Sequence, residues 1–378
     1  MAMEDVSRTA TDAVDERRWH PDLPPPVSTT GLIGWTRANL FSSPLNIALT
    51  LASLYLLYVS LPPLLDWAIF SANWNTGTSR EDCVKDGACW TMIIARFDQF
   101  IYGFYAVEER WRVNLTFILF VAAAVPLLIE GVPGKKYLAI FLFLIFPVVA
   151  FYLLYGGLGL PVQDTQKWGG LTLTLILGVI GIVFSLPLGI LLALGRRSNL
   201  PVIRLLCVSF IELVRAVPFI TVLFMASVML PLFLPEGMSF DKLLRAMIAT
   251  ALFGAAYMAE VVRGGLQAIP KGQYEGAMAL GLNYWKMTAL IILPQALRIS
   301  IPGIVNTFIG GFKDTTLVIV IGLFELLGIV QQATRDANWR GTSFEGFAFV
   351  GLVFFIFCFG MSRYSQYLER KLHTGHKR

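Results

Sequence analysis

Eight stretches of this chain are predominantly apolar and long: roughly residues 46–70, 113–131, 137–157, 169–195, 204–234, 243–263, 299–322 and 346–364. A helix needs about 20 such residues to cross a hydrocarbon core. No other feature narrows the fold as far. Inside a bilayer every backbone N–H and C=O must be paired within the protein, so only helices or closed barrels can span it. The runs are continuous and not alternating, which selects helices. Composition agrees, with 56% hydrophobic and 15% charged residues and a mean hydropathy of +0.66, against about 25% charged in a soluble domain. The expectation is an all-α polytopic membrane protein with about eight transmembrane helices, set in a lipid bilayer.

The +5 formal charge therefore speaks to topology, and no nucleic-acid-binding pattern accompanies it. Lys and Arg gather on the cytoplasmic side of membrane proteins. More than half of the 30 such residues fall on one side of the eight spans. They are Arg8, Arg17, Arg18 and Arg37, then Lys135 and Lys136, then Arg196, Arg197 and Arg204. Arg263, Lys271, Lys286 and Arg298 follow, with Arg363, Arg370, Lys371, Lys377 and Arg378 at the end. Both termini come out cytoplasmic: a polar tail over 1–45, with prolines between Pro21 and Pro26, and a short one over 371–378. The loop 265–298 is also cytoplasmic and the loop 71–112 is outside. No cleavable signal peptide is expected, because polar residues precede the first apolar run.

Three spans are expected to be irregular. Pro62–Pro63 should kink or end the first, and the fifth is not expected to be a clean helix. Residues 299–330 would make a helix of about 48 Å, so a break is expected at Gly310–Gly311, just before Lys313–Asp314.

The segment Glu275 to Pro294 is amphipathic between apolar neighbours. Gln273–Leu280 reads as a short helix that Gly281 ends in left-handed backbone. Asn283 can cap a second, Tyr284–Leu293, which Pro294 should stop. Two short helices with a sharp bend suit docking, not catalysis.

Glu275-Gly276-Ala277, Gly281 and Ile291-x-Leu293-Pro294 resemble the coupling (EAA) loop of ABC importer permeases. The flanks extend the likeness: Ala256-Tyr257-Met258-Ala259-Glu260, Arg263-Gly264-Gly265, Ile269-Pro270-Lys271-Gly272-Gln273 and Leu293-Pro294-Gln295-Ala296. This string is similar to the polar amino-acid uptake family. Gly276 departs from it, standing where the family usually has Ala, at about 1 kcal/mol in helix propensity. The resemblance implies a five-span type I ABC importer permease core over 165–370, with its coupling loop at 265–298, in a bacterial inner membrane. It implies three kinds of companion: an ABC ATPase subunit dimer, on which ATP and Mg bind, a second related permease subunit, and a periplasmic amino-acid-binding protein. The front portion adds three spans over 46–164. Its Ala88-Cys89-Trp90, Tyr102-Gly103-Phe104-Tyr105 and Glu109-Arg110-Trp111-Arg112 resemble the M-type subunit of the general L-amino-acid permease.

Individual residues admit competing readings. Cys83 and Cys89 could close a small disulfide in an oxidising compartment, or stay reduced. Cys207 and Cys358 suit small buried hydrophobes. Glu212 and Arg215, three apart, can pair on one helix face, either bracing a subunit interface or serving the pathway. Glu260 and Arg263 share that spacing and suit anchoring of the coupling loop. Asn306, Lys313, Asp314, Thr315 and Thr316 are the pathway candidates. Lys-Asp-Thr-Thr-Leu resembles the family's Lys-Asp-Thr-Ser-Leu, and Lys313 with Asp314 would offer both charges to a zwitterion. A structural cap is the competing reading.

No phosphate-binding G-x-x-x-x-G-K-[ST] occurs, since Gly131-Val-Pro-Gly-Lys-Lys is too short. His20, His373 and His376 lie in the tails, and no metal cluster or catalytic triad is credible. The chain is expected to bind no cofactor and to be no enzyme. Two rivals stand beside an amino-acid importer subunit: an ion-coupled secondary carrier, and an ABC permease for another small solute.

Overall fold

The computed structural model describes residues 31–372, except Lys85, Glu130, Glu236, Met238 and Ser239. The tail prolines, Arg8, Arg17, Arg18 and His20, and the C-terminal His373, His376, Lys377 and Arg378, lie outside the described residues. Among those described there are helices and isolated bridges but no strand. Seven helices are long and apolar enough to cross a membrane, or eight if a bent pair counts as one span.

The chain divides into two units, Met1–Ala72 and Asn73–Arg378. In the first, α1 (Gly31–Asn39) precedes α2 (Pro44–Phe70). Ser43 caps α2 by accepting from Asn46 N–H at 3.2 Å, and Pro44 takes the first turn, where a missing donor costs nothing. No residue of α2 is buried, so its apolar surface faces outward along its whole length.

The second unit contains α3 (Val107–Leu128), α4 (Lys135–Tyr155), α5 (Gly170–Arg196), the bent pair α6 (Pro201–Ala216) and α7 (Phe219–Phe233), and α8 (Lys242–Gln267). After these come α9 (Lys271–Ala279), α10 (Tyr284–Ile321), α11 (Leu326–Arg335) and α12 (Ser343–Leu372). Helix α5 packs against α8 in parallel. A methyl on Gly181 would meet Thr250 at 3.1 Å, one on Gly254 would meet Ser185 at 3.0 Å, and one on Gly189 would meet Met258 at 2.6 Å. Small residues every four positions let two backbones approach closely, as membrane helix pairs require. Helix α10 runs antiparallel to this pair: Gly303 faces Val261, and Gly178 faces Phe312.

Prolines do not end these helices where the sequence suggested. Helix α2 continues through Pro62–Pro63 into a wide π turn, Asp66–Phe70. Pro294 sits inside α10, which runs unbroken from Tyr284. Three π turns, Phe141–Ile145, Met225–Met229 and Thr288–Ile292, each end two residues before a proline: Pro147, Pro231 and Pro294. A proline ring clashes with the carbonyl four residues back, and in all three cases that carbonyl lies in the widened turn. Side chains bond carbonyls in two of these turns. Arg245 donates to Ser227 O, and Gln295 Nε2 to Ile291 O at 2.9 Å. The expected break at Gly310–Gly311 is likewise absent. Helix α10 stays α-helical to Asp314, narrows to 3₁₀ over Thr315–Ile321 and stops at left-handed Gly322. The fifth span does break, by 106° between α6 and α7. There Pro218 pushes Val217 into extended backbone (φ −111°, ψ 147°).

The second unit has two ends. The disulfide end gathers residues 73–112, 156–170 and 322–343. Cys83 and Cys89 are joined there as a disulfide with Cα atoms 5.6 Å apart. They belong to a small core with Met92, Phe100, Ile329 and Trp339. Arg112, fully buried, donates to the carbonyls of Leu153 and Pro161 and to Glu109 at 3.3 Å, tying α3 to the end of α4. Tyr105 donates to Leu154 O at 2.8 Å, and burial pushes its phenol pKa up to about 12. The opposite, loop end carries α9 and the core of Ala193, Met258, Leu266, Ala277 and Ile292.

Candidate functional site

Helix α9 begins after Pro270 and ends where Gly281 takes φ +73°. Any other residue would be strained there. A side chain added at Gly281 would meet nothing within 4 Å, so that constraint is conformational and the surface around it is open. Asn283 accepts from Lys286 N–H at 2.9 Å and starts α10. Of the sequence-selected loop residues, Ala277 is buried in the loop-end core, while Glu275, Gly276, Gly281 and Pro294 are exposed; Ile291 and Leu293 are half-buried. Three large apolar side chains beside them point out of the protein: Met278 is 57%, Leu280 77% and Trp285 70% exposed. Exposed apolar groups clustered on a short loop mark a surface that something covers. Sequence reasoning passed over them because the motif's polar and small residues drew attention first.

Ion pairs fasten this loop to the helices behind it. Glu212 and Arg215 do not pair with each other. Glu212 instead accepts from Arg196 Nη1 at 2.8 Å, and Arg215 lies 3.7 Å from Glu260 while its guanidinium stacks 5.5 Å from the Tyr257 ring. The i, i+3 spacing allowed a bond, but both groups found partners on neighbouring helices. Glu260 is the hub. Its Oε1 accepts from Arg196 at 2.7 Å, and its Oε2 from Arg263 Nε and Nη2 at 2.9 and 2.7 Å. One carboxylate thus joins the end of α5, the last turn of α6 and its own α8. The next link is Arg197, which donates to Leu266 O at 3.1 Å and to Tyr274 Oη at 3.2 Å. Tyr274 belongs to α9, so the loop helix is tied to the ion-pair cluster through two residues.

The pathway candidates are split. Asn306 and Lys313 are exposed, Thr315 is buried with its hydroxyl turned to Phe312 O at 2.7 Å, and no ion pair joins Lys313 to Asp314 among the described residues. Asp314 is half-buried and lines a cavity of about 30 Å³ with Ser185, Thr250, Thr307, Gly178 and Gly311. That volume suits a single water. The three hydroxyls sit on α5, α8 and α10, and Gly178 and Gly311 leave the space. Thr307, one face with Asp314 at i, i+7, went unnoticed in the sequence because a threonine in an apolar run carries no local signal.

A second carboxylate was missed altogether. Glu325 is fully buried at the start of α11, where it accepts from Leu327 N–H at 3.0 Å, Gly328 N–H at 2.9 Å and the Thr174 hydroxyl at 3.4 Å. Burial raises its pKa, and the two backbone N–H groups oppose that rise. Glu345 is buried too, and accepts from Cys89 N–H at 2.9 Å. Among the described residues there is no group of side chains fit to hold a metal.

The molecule is an all-helical membrane body with an exposed helical loop at one end and a small cavity among three of its helices. Residues 185–374 match the family described as binding-protein-dependent transport system inner membrane component. Two relatives match nearly the whole chain. The inner membrane amino-acid ABC transporter permease protein YhdY of Escherichia coli (strain K12) is 53% identical over 94% of this chain and 97% of its own length. The glutamate/glutamine/aspartate/asparagine transport system permease protein BztC of Rhodobacter capsulatus is 43% identical over 99% of this chain and 100% of its own. A solved structure described as an amino acid ABC transporter with histidines is 29% identical over 53% of this chain and 92% of that one, with a TM-score of 0.47. The chain belongs to the binding-protein-dependent inner-membrane permease family and is a multi-pass inner-membrane transport component. An ion-coupled carrier is not favoured by that membership.

Proposed function

We propose that this chain is a permease subunit of an ATP-driven amino-acid importer. The 53% identity to a permease named for amino-acid ABC transport, extending over 94% of this chain, carries the reading. In it the chain lines the translocation path with a second, related permease. A periplasmic amino-acid-binding protein delivers the substrate, and a dimer of separate ATPase subunits binds ATP and Mg and powers the cycle. Both termini and the loop end face the cytoplasm, and the disulfide end faces the periplasm, an oxidising compartment that suits the Cys83–Cys89 bond.

The geometry supports the coupling step. Exposed Met278, Leu280 and Trp285 would dock on the ATPase, where apolar and aromatic anchors contribute most of the binding energy. Closure of the ATPase dimer would then move α9. Through Tyr274 and Arg197 that movement reaches the Glu260 cluster, where α5, α6 and α8 meet. The water-sized cavity at Asp314, Ser185, Thr250 and Thr307 marks where a path would open between α5, α8 and α10 as the helices rock.

The test is gentle extraction of a tagged chain. A P-loop ATPase and a second permease should co-purify, and amino-acid uptake should accompany them. Gly281→Asp sets a charge on the open loop surface, so the ATPase should be lost and uptake should fall to background while insertion stays normal. Uptake unaltered by that change would overturn the docking role of α9.

A further inference from the structure

A groove of about 490 Å³ runs between α3 and α4 on one side and α5 and α8 on the other. Its walls are hydrocarbon almost throughout, with Phe117, Phe146 and Phe151 opposite Ile176, Val183 and Ile248. The one hydroxyl on its rim, from Thr116, is turned back to Arg112 O at 2.8 Å. Nothing in these walls suits an amino acid, whose charged ends would be stripped of water without partners. Ordered water would fare no better, because each molecule needs two to four polar neighbours.

Dimensions narrow the occupant further. On α5 the wall runs from Leu175 to Leu188, about 20 Å of helix axis. One leaflet of hydrocarbon is about 15 Å deep. An extended alkyl chain reaching down from headgroup depth is of this length and apolar throughout.

One residue at the end of the groove carries an unpaired polar group. Trp168 lines it just before α5 begins; the residue is 5% exposed, and its indole Nε1–H is buried with no acceptor. A buried donor left unpaired is costly, and tryptophan at a span's end lies at the depth of lipid headgroups. The ester carbonyl of a lipid sits at that depth, at the top of its acyl chain.

We infer that this groove is a phospholipid site: one acyl chain lies between α3–α4 and α5–α8, and its ester carbonyl accepts from Trp168 Nε1. Such a lipid differs from the exchanging lipids around the protein because four helices wall it and a hydrogen bond fixes its depth. It fills the seam between the added front spans and helices α5 and α8.

The assembled transporter, extracted in mild detergent and washed repeatedly with it, is weighed by native mass spectrometry. Wild type should keep about one phospholipid per copy of this chain. Trp168→Phe keeps the ring but removes the donor, and should weaken retention about fivefold. Ala150→Phe and Val183→Phe fill the groove from opposite walls and should each weaken it at least about tenfold. A wild type washed free of lipid, or filled variants that retain it fully, would overturn the assignment. Should the filled variants fail to assemble, wild type is reconstituted in phosphatidylethanolamine vesicles containing an acyl-chain diazirine analogue. Crosslinks concentrated on residues 146–151 and 176–188 support the site, whereas crosslinks spread evenly over the lipid-facing helices contradict it.

Discussion

The two ends of the second unit are held together by different chemistry. At the disulfide end the ties are a covalent bond, two buried carboxylates and a buried guanidinium. Glu325 accepts from two backbone N–H groups at the start of its own helix and from the Thr174 hydroxyl, Glu345 accepts from Cys89 N–H, and Arg112 donates to backbone carbonyls. At the loop end the ties are side chain to side chain. Arg196, Arg215 and Arg263 share Glu260, all with part of their surface in solvent. Bonds from buried side chains to backbone fix one geometry, because the alternative is an unsatisfied group in a low-dielectric interior. Ion pairs near water can exchange partners at small cost. The disulfide end is therefore built to stay, and the loop end to rearrange.

Two substitutions test that contrast, ranked by their effect on stability. Glu325→Ala strands two backbone N–H groups and the Thr174 hydroxyl, and should cost about 3 kcal/mol, read as a lowered melting temperature of the purified transporter. Glu260→Gln removes the charge that three guanidiniums share. It should cost about 1–2 kcal/mol yet reduce uptake far more than that loss of fold explains. If Glu260→Gln melted the protein as severely as Glu325→Ala, the loop end would be as fixed as the other, and the comparison would fail.

The smallest effect is local and sharpens the contrast. Asp82 is fully exposed but accepts from the N–H groups of Thr78 and Ser79 at 2.7 and 3.0 Å, which hold its pKa below the usual carboxylate value. A depressed pKa means the contact stabilises the folded loop above the unfolded value of about 3.9. That contribution fades as pH falls through the lower folded value. Amide hydrogen exchange at Thr78 and Ser79 should show protection that weakens only in that acid window. Loss of protection near neutrality would place the cause elsewhere.

The sequence told most where structure is local. Left-handed Gly281 and the Asn283 cap depend on a few neighbours and were readable, as were long apolar runs close to the observed helix boundaries. Pro294 misled, because a π turn before it moves backbone out of the way, and composition does not announce such turns; Pro62–Pro63 misled as well, since their helix runs on through them. Gly310–Gly311 misled for a related reason: α10 is packed on α5, α8 and α12 along its length, which outweighs a cost of about 1 kcal/mol per glycine. Glu212 and Arg215 were found but wrongly joined, since spacing along one helix says nothing of a nearer arginine on another. Glu325, 151 residues from Thr174, offered no pattern to read.

The parallel contact of α5 and α8 has a mechanical consequence. Gly181, Ser185 and Gly189 mesh with Thr250, Gly254 and Met258 at one fixed offset in residue number, so neither helix can slide or twist without breaking every station at once. Two rods seated against each other at successive turns bend far less than either alone. Helix α8 is 26 residues long, about 39 Å. A tilt imposed at its loop end would arrive at the far side of the membrane as displacement, with little of the motion absorbed as flexure on the way.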